Sequence, residues 1–284
     1  MKKIGFFTLV ILLCAASQAQ YRFGYFRVGL SAGATNYLGD LDDDLTFKFT
    51  KPGVGLVGAF RFNPHMEARF NVYQGWVGAT DKNSIAKPRE YRNLSFRSPI
   101  TEASLTMAYS LFGVGRGFRF RPKYNPYVFT GIGLFKFNPS AKLNGQWYDL
   151  QPLGTEGQYL GGGNTVTGKP YPKPYALTQV CIPIGGGVQI MLNKNWDLFA
   201  EVGWRKTFTD YLDDVSGRFP DLNQLAASNP IAATLSNRGY PWVARYKRGD
   251  NKQYDWYIYS NVTASYIIDW VKCPKFKPFR GRKF

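Results

Sequence analysis

The sequence predicts an all-β protein: a transmembrane, antiparallel up-and-down β-barrel of about eight strands with long external loops. Three observations carry that expectation. Apolar and polar residues alternate with a period of two along segments of about ten residues or more. The apolar faces of those segments end in aromatic residues, and the connections between them run long and short by turns. Beyond the first residues no apolar run has the roughly 20 residues that a membrane helix needs, so any crossing falls to strands.

The chain divides into three parts: a signal peptide over 1–19, the barrel over 20–270 and a basic tail over 271–284. Lys2 and Lys3 precede an apolar run from Ile4 to Ala16, and Ser17-Gln18-Ala19 offers small residues for cleavage. Leu13 stands where a lipidation signal places a small residue, so Cys14 is not read as a lipid anchor.

Strands are expected near Tyr25 to Tyr37, Gly53 to Phe62, Met66 to Ala79, Phe96 to Leu111, Tyr127 to Phe137, Leu177 to Leu192, Trp196 to Tyr211 and Asp255 to Asp269. Within Met66 to Trp76, Ala68, Phe70 and Val72 alternate with Glu67, Arg69 and Asn71. Within Trp196 to Phe208, Leu198, Ala200, Val202 and Trp204 alternate with Asp197, Glu201 and Arg205. A water-soluble sandwich alternates too, but it would turn such charged faces to solvent. In a barrel they face the lumen, where Glu67, Arg69, Glu102, Glu201 and Arg205 would form a charge network with Arg27 and Arg61. Pro183 and Gly185-Gly186-Gly187 predict a bulge in the sixth strand, because proline removes a ladder donor.

Asn63-Pro64-His65 and Asn193-Lys194-Asn195 are tight turns, and Phe112 to Asn125 is a middling connection. The other connections, 38–52, 80–95, 138–176 and 212–254, are long and are expected outside the cell, with both termini in the periplasm.

The formal charge of +17 becomes +15 without Lys2 and Lys3. An exported chain meets no nucleic acid, so the expected anionic partners are outer-membrane lipid, lipopolysaccharide and acidic proteins. Cys181 and Cys273 are expected to stay unpaired. Chemistry is sparse, and the chain reads as no enzyme, without cofactor or metal. His65, the sole histidine, falls in a turn away from Ser104 and Ser110. Asp40, Asp42, Asp43 and Asp44 have the spacing of a calcium loop, but Leu45 replaces its glycine and Lys51 its bidentate glutamate. That run is read as a solvated loop, and Gly161-Gly162-Gly163 as a flexible one. An eight-stranded barrel is filled by its own side chains, which argues against a solute channel.

The tail carries Lys272, Lys275, Lys277, Arg280, Arg282 and Lys283 among Phe276, Phe279 and Phe284, with Pro274 and Pro278 excluding regular structure. It reads either as a solvated end or as a periplasmic docking strip for an acidic partner.

The stretch Asn36-Tyr37-Leu38-Gly39-Asp40-Leu41 resembles the opening motif of PorG-type outer-membrane barrels of Bacteroidota. Phe62-Asn63-Pro64, Ala68-Arg69, and Gly75 and Gly78 before Asp81 resemble that family's second hairpin, and Arg248-Gly249-Asp250 leading to Asp255-Trp256-Tyr257 its last strand. The resemblance implies a non-catalytic subunit of the type IX secretion machinery, which in some relatives supports gliding. Its implied partners are the periplasmic ring lipoprotein PorK and PorN. The tail has no counterpart in that resemblance. The rival readings are a stand-alone OmpA- or OmpX-like barrel in adhesion or envelope integrity, and a lipid-modifying barrel enzyme, against which the absence of an external histidine counts.

Overall fold

The computed structural model describes residues 24–42, 47–83, 87–115, 118–165, 168–239 and 247–268. The signal segment 1–19, Cys273 and the basic tail lie outside these residues. Eight long strands close into an antiparallel barrel: β1 (Tyr25–Leu38), β2 (Lys51–Arg61), β3 (Met66–Thr80), β4 (Ser95–Ser110), β5 (Tyr124–Phe137), β8 (Thr178–Met191), β9 (Trp196–Thr207) and β10 (Trp256–Ile268). A short hairpin, β6 (Ser140–Leu143) with β7 (Gln146–Asp149), joins β4 through a single Arg97 to Ser140 pairing. The first strand pairs with the last, and β3 with β4, so the eight-stranded barrel wall has no free edge.

The registers set the barrel's shape. A path across the ladders leaves β1 at Asn36 and passes through Ile258, Trp204, Ile184, Thr130, Met107, Ala68 and Phe60. It returns to β1 at Phe26, ten residues lower. With strands about 4.8 Å apart and a rise of about 3.3 Å per residue, that stagger tilts them by roughly 40° to the axis. The resulting lumen is narrow enough for side chains to fill.

Pro183 does not create a bulge. The β5 and β8 registers agree on both sides of it, at Thr130 to Ile184 and Gly133 to Cys181, so no extra residue is inserted. The ladder is interrupted opposite Gly131 and Ile132, while on the β9 side Pro183 pairs in register with Arg205. The proline thus removes pairing on one side only.

Alternation separates the two faces. Outward positions such as Val28, Leu30, Leu56, Leu105, Ile132 and Val262 are exposed on a continuous apolar belt. Water-soluble monomers rarely expose more than a few hundred Å² of contiguous apolar surface, and here such a belt encircles the barrel. Trp76, Trp204 and Trp256 lie toward one rim, and Tyr109, Tyr124, Trp196 and Tyr266 toward the other. No helix among the described residues is long and apolar enough to cross a membrane. This is a membrane-spanning barrel of the outer-membrane type.

All four long connections leave the same end, and the chain between β2 and β3, β4 and β5, and β8 and β9 turns at the other. The described residues of the long connections are folded together as a cap. It contains α1 (Lys87–Arg92), α2 (Leu222–Ser228) and α3 (Pro230–Ser236). Asp221 caps α2 by accepting from the Asn223 and Gln224 N–H groups, and Asn229 caps α3 ahead of Pro230. The alternation that reveals strands carries no signal for helices of six or seven residues. The seventh expected strand also stops early, at Thr207, whose hydroxyl bonds to the Thr209 and Asp255 carbonyls and turns the chain into the cap.

Candidate functional site

The lumen gathers the seven charged residues expected there, in two separate clusters. In the turn-end half Glu67 accepts from Arg27 (2.5 and 2.9 Å) and Arg69 (2.7 Å), with Arg61 3.7 Å away. Arg69 bridges onward to Glu201 at 3.2 Å, and Glu201 also accepts from Tyr127 (2.7 Å) and Asn261 (3.1 Å). The Arg27 guanidinium lies 3.9 Å from the centre of the Phe199 ring, and that of Arg69 4.4 Å from that of Tyr127. Nearer the cap, Arg205 donates to Glu102 at 3.1 Å and Tyr257 donates to the same carboxylate oxygen at 2.8 Å. Arg205 therefore pairs with Glu102 and not with the Arg27 and Arg61 group.

A third pair was not legible from alternation. Arg121 enters from the connection between β4 and β5 and donates to Asp197 at 2.8 Å, to the Asn193 carbonyl at 2.7 Å and to the Lys194 carbonyl at 3.0 Å. It closes the turn end. At the opposite mouth Tyr37, Phe96, Ile100, Phe135, Phe137 and Tyr257 pack as an aromatic plug beneath Leu212 and Val215 of the cap. Between the clusters a cavity of about 30 Å³ lies among Arg27, Arg69, Glu201 and Arg205, room for about one water. Ion pairs occupy the turn-end half of the described lumen and the aromatic plug its cap-end mouth.

The motif residues from opposite ends of the barrel meet at one place. Tyr37 contacts the carboxylates of Asp213 (2.7 Å) and Asp255 (3.0 Å), and both Asp40 oxygens accept from the Asp250 N–H (2.9 and 3.0 Å). A β-carbon at Gly39 would overlap the Asp255 carboxylate and the Tyr37 hydroxyl; one at Gly249 would overlap Asp40 and stand 2.7 Å from the Ser216 carbonyl. Only glycine admits these approaches. Asn36 donates to Thr50 at 2.8 Å, and Leu38 pairs with Trp256. Arg92 binds Asp81 (2.7 and 2.8 Å) and reaches the Arg248 and Asp40 carbonyls, while Arg248 binds Glu156 at 3.0 Å beside Asp214 at 3.6 Å. The second-hairpin motif is structural as well: Asn63 accepts from the His65 and Met66 N–H groups, which forms the turn.

The acidic run is thus not a solvated loop where it is described. Asp42 is buried, Asp40 is half-buried, and Asp43 and Asp44 lie outside the described residues. Burial pushes the Asp40 and Asp214 carboxyls up to about 6 and Asp210 up to about 8, and drives Asp213 and Asp255 well above the ordinary carboxylate range. Tyr37 has one proton for two carboxylate contacts, so a proton on Asp213 or Asp255 completes the set. No His, Cys, Asp or Glu group among the described residues is arranged to hold a metal ion.

His65 lies beside Ser110, nearer than its turn position implied. Its Nδ1 is 2.8 Å from the Ser110 carbonyl, while the Ser110 hydroxyl accepts from Arg61 at 3.0 Å. The ring contacts backbone and stacks on Tyr109, so the pair is not a nucleophile with its base. Cys181 is buried in the lumen, its sulfur 3.8 Å from the Tyr257 hydroxyl.

Fold and site together define a closed, filled, membrane-spanning barrel with an ordered cap. The chain belongs to the family described as domain of unknown function DUF6089, whose profile matches residues 2–150, from ahead of β1 past the β6–β7 hairpin. No curated protein matches it. Solved structures similar to it include Neisserial surface protein A, at 10% identity over 85% of this chain and 96% of that one, with a TM-score of 0.41. A major outer-membrane protein of Thermus thermophilus is 13% identical over 86% and 99%, with a TM-score of 0.39. Ail, the attachment invasion locus protein of Yersinia pestis, is 11% identical over 86% and 97%, with a TM-score of 0.38.

Proposed function

We propose that this barrel is a non-catalytic outer-membrane subunit of the type IX secretion machinery, a scaffold that contacts a periplasmic ring of PorK- and PorN-type proteins. The observation that carries the reading is the meeting of the motifs that resemble PorG-type barrels. The Asn36 to Leu41 segment and the Arg248 to Tyr257 segment, more than 200 residues apart, form one hydrogen-bonded junction through Asp40 and Asp250 and through Tyr37 and Asp255. A filled lumen supports a scaffold over a conduit. On this reading a signal peptide exports the chain, and the cap faces outward.

Ring contact is assigned to the short-turn end, where β10 delivers the chain after Ile268. The basic residues Lys272, Lys275, Lys277, Arg280, Arg282 and Lys283 form the docking strip in this proposal, with charge complementarity as its physical basis. Deleting residues 271–284 should leave heat-modifiable gel mobility intact while abolishing co-purification with the ring lipoprotein and release of secreted cargo. Normal secretion and ring binding by a folded truncation would reject the strip. Normal secretion by a strain lacking the whole protein would reject the machinery role and leave a stand-alone barrel.

A further inference from the structure

The outward faces of the eight barrel strands carry three charged residues among the described positions: Arg97 on β4, Lys136 on β5 and Lys206 on β9. All three are basic and exposed, and all lie near the cap ends of their strands. The acidic residues of these strands, Glu67, Glu102, Asp197 and Glu201, face the lumen, so no outward strand position offsets the cations. At the turn ends, outward strand positions are apolar or aromatic, as at Phe26, Met66, Tyr109, Tyr124, Trp196 and Tyr266.

Position makes this asymmetry meaningful. The Lys206 Nζ lies 5.9 Å from the centre of the Trp256 ring, at the edge of the apolar belt. The Arg97 guanidinium lies 3.4 Å from the centre of the Trp147 ring on the β6–β7 hairpin, which holds it outside β4. A cation on the bilayer face is tolerated near the interface, where it reaches headgroups, and is increasingly unfavourable toward the midplane. There it attracts anionic lipid, because a phosphate is the anion found at that depth.

We propose that Arg97, Lys136 and Lys206 form a lipid-binding arc at the cap end, with the phosphate of a membrane lipid headgroup as its ligand. The arc spans adjacent strands β4, β5, β8 and β9, with the aromatic rim receiving the acyl region. The inference rests on the membrane-spanning reading but is independent of the secretion role. It also orients the barrel, placing the cap in the leaflet richer in anionic phosphate.

The test uses the full chain reconstituted in vesicles, with tryptophan fluorescence quenched by brominated phosphatidic acid or brominated phosphatidylcholine. The wild type should favour phosphatidic acid at least about fivefold, and the triple variant Arg97→Gln, Lys136→Gln, Lys206→Gln should fall close to no preference. The variant Lys123→Gln, Lys194→Gln removes exposed cations from the turn end and should keep the wild-type preference. Excess inorganic phosphate should leave it unchanged; its disappearance would reject a lipid ligand. A wild type without preference, or a folded triple variant that retains it, overturns the arc. Heat-modifiable mobility establishes folding, and Lys206→Gln alone should lose part of the preference if the triple variant fails to fold. A wild type that does not insert at all overturns the membrane reading as well.

Discussion

Glu67 faces three guanidinium groups in a lumen that leaves it almost no water, so its charge is compensated entirely by Arg27, Arg61 and Arg69. Removing one member of a buried ion pair strands the other charges and typically costs about 3–5 kcal/mol. Glu67→Gln should lower the stability of the vesicle-inserted barrel by about that amount in urea titrations, with Arg69 still held by Glu201. A loss near zero would mean that water or lipid headgroups reach the cluster. The seven charged lumen residues were legible because strict alternation places every second side chain inside. Arg121 was not, because it reaches Asp197 from an irregular connection whose path the alternation does not describe. Tyr127 opens the fifth expected strand, but its hydrogen bond to Glu201 depends on two strands that are neighbours only through β8.

At the scale of elements, strands and tight turns followed from local pattern, whereas the cap did not. Its helices are short, and its carboxylates take their meaning from burial against residues far away in sequence. That burial has a pH consequence. A carboxyl whose folded pKa is raised favours folding fully below its unfolded value near 3.8, and loses that contribution as pH rises through the folded value. Asp40 and Asp214 titrate near 6 and Asp210 near 8, so the cap should loosen progressively from about pH 4 to pH 8. Limited proteolysis of 208–239 should accelerate over that range while the barrel strands stay protected. Equal rates at pH 4 and pH 8 would contradict the buried state of these acids. Pro183 teaches the complementary lesson: the sequence marks a missing donor, but whether the chain answers with a bulge or an interrupted ladder is decided by the neighbouring registers.

For the whole molecule, closure and filling are the decisive properties. The ten-residue stagger sets a narrow lumen, the ion-paired clusters and aromatic plug occupy it, and the cap covers its mouth. Reconstituted in planar bilayers, the protein should give no stable conductance steps above the leak of protein-free membranes. Reproducible open channels of the native chain would require the plug to move. The sequence by itself determined the strand class, the approximate strand count, the alternation of long and short connections and the inward direction of the charges, because each is a one-dimensional property of a period-two chain. Only the tertiary structure decided which charges pair, that Asp40 meets Asp250 and Tyr37 meets Asp255, and that the long connections form an ordered cap. Those outcomes depend on the stagger and on contacts between residues up to 218 positions apart, and a local pattern carries no information about distance across a closed sheet.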